Sequence, residues 1–190
     1  MNIDDPMTFN ELTWDLGPGV VARPFELGEE AAIFATIQAN RAHLDRWLLW
    51  SNTVQVEADA AATIAKYVAK RAIGAGFNNG IWVDGRLAGG IVCREMDHAD
   101  RWAEIGYWLS REFTGRGLAT IASSRATSYL LLERQMHRVF MRCAAGNVRS
   151  RAVPERLGYR LEGIHREAHR LNDQFIDQAV YAVLATEWQT

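Results

Sequence analysis

The segment Ala103–Ala122, AEIGYWLSREFTGRGLATIA, decides how the chain is read. Glu104 to Leu109 alternates apolar residues into a strand, a short polar loop leads to Gly115-Arg116-Gly117, and an amphipathic helix opens at Leu118. Two glycines let the backbone take φ > 0 and approach a ligand closely, and the first N–H groups of the helix lack intrahelical partners. Such a turn is an anion site in waiting. It carries no third glycine for a dinucleotide fingerprint and no Gly-Lys-Ser/Thr for a P-loop, so both nucleotide readings weaken. A tight structural corner and an anion-binding loop both remain open at this point.

Outward from that segment, 190 residues with 48% hydrophobic and 23% charged content suggest one soluble domain, 1–190, with a real core. A net charge of −2 gives no basic stripe, which argues against direct nucleic-acid binding. Cys93 and Cys143 lie far apart in apolar runs and read as buried free thiols. The histidines show no close-spaced ligand pattern, so no metal is expected. The amino terminus has neither a basic nor an apolar leader region, and no apolar run is long enough to span a membrane, which predicts a cytoplasmic protein.

Along the chain, residues 1–18 read as a loose arm ending in Gly17-Pro18-Gly19. Val20–Phe25 is a strand, Glu26–Asn40 and Glu57–Ile73 are helices, and Ile81–Val83 with Leu87–Cys93 form a hairpin around Asp84-Gly85. Leu118 to about Arg134 keeps a helical period. Val139–Cys143 is a strand. A short helix runs from about Ser150 to Gly158, where Pro154 is tolerable only in or near the first turn. Tyr159–His165 and Phe175–Leu184 close the chain as strands around Asn172-Asp173. The class is α+β.

This order, with the Gly-x-Gly turn after the fourth strand, resembles the GNAT acetyltransferases. The runs Ile105-Gly106-Tyr107-Trp108-Leu109 and Asn147-Val148-Arg149-Ser150, and Gly158-Tyr159 before Leu161-Glu162-Gly163, resemble the RimJ/RimL branch, which acetylates ribosomal-protein amino termini. The likeness covers residues 18 to 188. It implies a central, mostly antiparallel mixed sheet splayed between the fourth and fifth strands and flanked by about four helices. It also implies acetyl-CoA as co-substrate, a protein N-terminus as acceptor, and a homodimer. A polyamine, an antibiotic or another small amine is the alternative acceptor, and a non-catalytic acyl-CoA sensor is the alternative of a different class.

The resemblance carries over residue by residue. Backbone of Trp108, Leu109 and Ser110 would pair with pantetheine, and Gly115, Arg116, Gly117, Leu118, Ala119 and Thr120 would hold the pyrophosphate. Asn147 would bond pantetheine or serve as a helix cap. Many relatives place a thiolate-protonating tyrosine where this chain has Pro154, so that task would fall to Ser150, equally a candidate N-cap. Glu104 is the expected base, acting through water, with His169 the runner-up because imidazole has the better resting pKa. His43, Trp47 and Trp50 would line the acceptor site, with plain core packing the other reading of the indoles.

Overall fold

The computed structural model describes residues 5–189. One eight-stranded sheet runs in the order β1-β2-β3-β4-β5-β6-β8-β7. Its strands are β1 (Trp14–Gly17), β2 (Val20–Pro24), β3 (Phe77–Val83), β4 (Arg86–Asp97), β5 (Trp102–Leu109), β6 (Arg138–Ala144), β7 (Arg160–Leu171) and β8 (Gln174–Leu184). Every pairing is antiparallel except β5 with β6. The helices are α1 (Glu30–Leu44), α2 (Glu57–Ala72), α3 (Leu118–Ser128) and α4 (Val148–Arg156). None is long and apolar enough to cross a membrane among the described residues.

Strand alternation sends successive side chains of β5 to opposite faces, each with its own core. Ala103, Ile105 and Tyr107 face Leu118, Ala122 and Ala126 of α3. Trp108 instead joins Ile33 and Ile37 of α1 and Ala60 and Ile64 of α2. The β3–β4 hairpin closes at Asp84 and Gly85 with φ of 47° and 76°, the paired left-handed residues of a tight two-residue turn.

The N-terminal arm differs from the expected loose segment. Residues 1–4 lie outside the described residues, but Met7, Leu12, Trp14 and Leu16 are buried in the main core. Trp14 stacks edge-on against Phe77, and Asn79 donates to the Leu12 carbonyl. Four large apolar side chains among polar ones bury enough surface to hold the arm down, and β1 adds a strand ahead of those expected. The divergence foreseen between the fourth and fifth strands therefore lies between β5 and β6.

Two helix ends also differ. α3 stops at Ser128 and a π-helical turn, Tyr129–Glu133, completes it, which brings Arg134 to 1% exposure. Pro154 is the seventh residue of α4, well past the first turn. Both cysteines are buried free thiols.

Candidate active site

β5 and β6 pair only from Trp102↔Arg138 to Glu104↔Phe140, yet β5 runs on to Leu109 and β6 to Ala144. Beyond Glu104 the strands part, and their facing edges present backbone groups with no strand between them. From Trp108 to Ser110 the backbone groups do not all face the same way. Ser110 N–H donates to the Ala88 carbonyl, and a Cβ on Gly89 would fall 2.1 Å from the Trp108 carbonyl, so both residues turn toward β4. By alternation, Leu109 is the residue turned to the gap.

The gap leads to the glycine turn. Gly115 and Gly117 both have φ of 78°, and Gly117 is the N-cap of α3. A Cβ on either would meet nothing within 4 Å, so conformation, not crowding, demands glycine there. Arg116 is exposed and lies over the Phe113 ring at 5.1 Å, Leu118 and Ala119 are buried, and Thr120 is half-buried. Unpartnered N–H groups at an open helix start fit a phosphate chain, and the unpaired edges fit an extended amide-bearing arm. No group of residues with metal-ligand geometry occurs among the described residues.

On the α3 and α4 side, Asn147 caps α4 by accepting from Ser150 N–H at 3.2 Å, so Asn147 and not Ser150 is the cap. Ser150 Oγ lies 3.0 Å from the Tyr107 hydroxyl and 3.5 Å from Cys143 Sγ. Tyr107 also donates to the Ser150 carbonyl at 3.0 Å. That carbonyl is available because Pro154, four residues on, has no N–H to return to it. With the phenolic proton on the carbonyl, the single Ser150 proton has the phenol oxygen and Cys143 Sγ as its acceptors. Burial pushes the Tyr107 phenol up, opposed by its bond to Ser150, and burial likewise raises the Cys143 thiol. A buried, protonated Cys143 is a poor nucleophile. Tyr107 was missed in sequence, although its place two residues after buried Ile105 assigns it to this face.

Across the sheet, Glu104 is 5% exposed, far from the solvated edge position an isolated glutamate favours. Both its oxygens are taken by Arg142, at 3.1 Å from Nε and 2.6 Å from Nη2, with Arg94 Nε at 3.9 Å. The carboxylate is thus committed to two short, forked hydrogen bonds from one guanidinium. His169, on β7, is partly buried, and its pKa is lowered by desolvation and then by Arg94 and Arg142. The imidazole is therefore neutral at neutral pH. Neither arginine was singled out in sequence, and no local spacing marks them, since they come from β4 and β6.

Of the three residues expected to line the acceptor site, His43 sits nearest the end of β5. Its pKa is lowered by burial and by Arg111, with the Leu109 carbonyl pulling it up and Arg149 pulling it down. Trp50 packs on the α1–α2 core and meets Trp108 edge-on at 5.6 Å. Trp47 is outside that core and carries Arg46 over its ring at 5.1 Å. The indoles therefore divide, both half-buried but only Trp50 packed on that core. The tip of the β7–β8 hairpin closes on this segment, with Asn172 donating to the Asp45 carbonyl at 3.0 Å.

Residues 20–160 match the family model described as Acetyltransferase (GNAT) domain. The protein named "Putative ribosomal N-acetyltransferase YdaF" of Bacillus subtilis (strain 168) is 32% identical over 171 residues, covering 90% of this chain and 93% of its own. The ribosomal-protein-serine acetyltransferase of Escherichia coli (strain K12) is 29% identical over 150 residues, 79% of this chain and 84% of that one. Among solved structures, RimL, a ribosomal L7/L12 alpha-N-protein acetyltransferase in complex with coenzyme A, superposes with a TM-score of 0.87 over 90% of this chain and 97% of that one. At 22% identity it speaks for the fold. A sheet that parts beside a Gly-x-Gly helix start, matched by family over most of its length, has one reading: the chain belongs to the GNAT acetyltransferase family and is an N-acetyltransferase of that type.

Proposed function

We propose that this enzyme transfers acetyl from acetyl-CoA directly to the amino terminus of a protein, of the ribosomal-protein kind that its relatives' names describe. The observation that carries this reading is the parting of β5 and β6 after Glu104, which runs to the turn at Gly115 to Gly117. Backbone N–H groups from Gly115 to Thr120 hold the pyrophosphate, and the Leu109 edge pairs with the pantetheine arm. Acetyl-CoA supplies the acyl group as an activated thioester. The acceptor amine enters from the α1–α2 face, past His43 and Trp47.

A protonated amine must lose a proton before it attacks. His169, neutral and partly desolvated, takes that proton through water. Glu104 instead fixes Arg142 and Arg94. As the thiolate leaves, Ser150 Oγ–H swings to it from its resting acceptors, the Tyr107 oxygen and Cys143 Sγ. Direct transfer needs no acyl-cysteine, consistent with the raised pKa of Cys143.

The test is thiol release from acetyl-CoA with ribosomal-protein N-terminal peptides, spermidine and an aminoglycoside as acceptors. Peptides should give the highest kcat/KM. A higher value for spermidine or the aminoglycoside would remove the protein-terminus assignment.

A further inference from the structure

Arg94 is placed by two local irregularities. The β4–β5 register slips between Cys93 and Glu95, so Arg94 is the extra residue of a bulge, a device that re-aims a side chain. The side chain then lies over Gly106 of β5, where a Cβ would stand 3.2 Å from Arg94 Nε. Gly106 has an ordinary strand conformation, so this glycine makes room and does not relieve strain. Both features occur just beyond Glu104, where β5 leaves β6.

The partner Arg94 finds there is a poor one. Glu104 gives its two short contacts to Arg142, leaving Arg94 a 3.9 Å ion pair, and the Arg94 side chain is 46% exposed. Arg94 makes no other ion pair among the described residues. Its field reaches Tyr67 of α2, His169 of β7 and Cys143 of β6, and its place over Gly106 sets it on the face of β5 that carries Glu104 and Trp108, opposite Tyr107 and α3. The other charges nearby are Lys70, whose Nζ donates to the Arg94 carbonyl at 2.5 Å, and Glu95, exposed on β4. A guanidinium set in this way at the acceptor approach offers a planar fork to an incoming carboxylate.

We propose that Arg94 is a specificity residue that binds an anionic group carried close to the acceptor amine. This rests on the protein-terminus reading above, where the anion is an acidic side chain within the first residues of the peptide. The same chemistry would suit a small amino acid with a free carboxylate, and the experiment separates the two.

Thiol release is measured with three peptides identical except for Asp, Asn or Lys at the third residue, with free aspartate as a further acceptor. The Asp peptide should exceed the Lys peptide at least tenfold in kcat/KM, mostly through KM. Arg94→Gln should shrink that ratio to about twofold while Arg94→Lys restores part of it. A merely structural role would lower all three peptides together. Equal use of the three peptides by the wild-type enzyme overturns the inference and leaves the protein-terminus reading intact. Aspartate outrunning the Asp peptide assigns the anion to a small molecule, keeping the Arg94 role but ending the peptide reading. If no acceptor is turned over, that reading fails, and calorimetry of the Asp and Lys peptides on CoA-loaded protein decides for Arg94. Equal or absent binding overturns its role, as does an Arg94→Gln variant that weakens CoA and leaves the peptide ratio unchanged.

Discussion

The turn from Gly115 to Thr120 and the charged cluster around Glu104 are built from different materials. The turn is made of main chain: two left-handed glycines and the open start of α3, contiguous in sequence. The cluster is made of side chains from β4, β5, β6 and β7: Arg94, Glu104, Arg142 and His169. A backbone site depends on conformation and tolerates most side chains. A side-chain site depends on which residues the topology brings together, so single substitutions there should change chemistry or selectivity with the fold intact.

The largest test of that contrast lies in the cluster. His169→Gln should lower kcat/KM at neutral pH by about 100-fold or more, the scale of a lost general base. Because desolvation and the two arginines lower the His169 pKa, the wild-type acidic limb should fall below pH 6.5, the ordinary histidine value, since protonation removes the base. His169→Gln should flatten that limb, whereas Glu104→Gln should lower activity and keep it. A pH–rate profile of both variants decides, and a flat profile in Glu104→Gln alone would return the base to Glu104.

Next in size is the divided pair of indoles. Trp50→Ala should cost about 2 to 3 kcal/mol of stability, near the low end for a tryptophan because the residue is only partly buried. Trp47→Ala, half-buried but off that core, should cost about 1 kcal/mol and chiefly raise the acceptor KM. Denaturant melts with acceptor kinetics separate the two, and equal destabilisation would make both core.

At the turn, Gly117→Val imposes a β-branched residue on a φ of 78°. Left-handed backbone costs roughly 1 to 2 kcal/mol, so CoA affinity should drop about tenfold or more in a folded protein. Unchanged affinity by calorimetry would show that the turn is not the phosphate site. The smallest effect expected is that of Pro154→Ala. Restoring an N–H opposite the Ser150 carbonyl should set it in competition with Tyr107 and lower kcat about two- to fivefold, with CoA affinity kept.

The same contrast explains what could be read in advance. The order of elements along the chain and the glycine turn follow from periodicity and from glycines whose conformational role is local, whereas the parting of the central strands came only with the family resemblance. The role of Glu104 did not: its burial depends on Arg142 arriving from a strand 38 residues away, and no local pattern announces that. Both Asn147 and Ser150 were open as caps, and the earlier one is used because α4 starts at Val148, ahead of the expected Ser150. The N-terminal arm was underestimated because Met7, Leu12 and Trp14 are too few and too irregularly spaced to show a period, although together they fill a core. Pro154 was pushed toward a helix start by a rule about lost hydrogen bonds, which Tyr107 answers from another element.

That last arrangement has a consequence in time. Carbonyls at a helix end are released and recaptured as the end frays, so a group that leans on one is held intermittently. The Ser150 carbonyl is vacated by an imino acid in the body of α4, and no fluctuation of the helix can supply the missing N–H. Tyr107 therefore has an acceptor that never closes, and the phenol keeps its orientation toward Ser150 between turnovers, ready before each acceptor arrives and with no reordering needed afterwards.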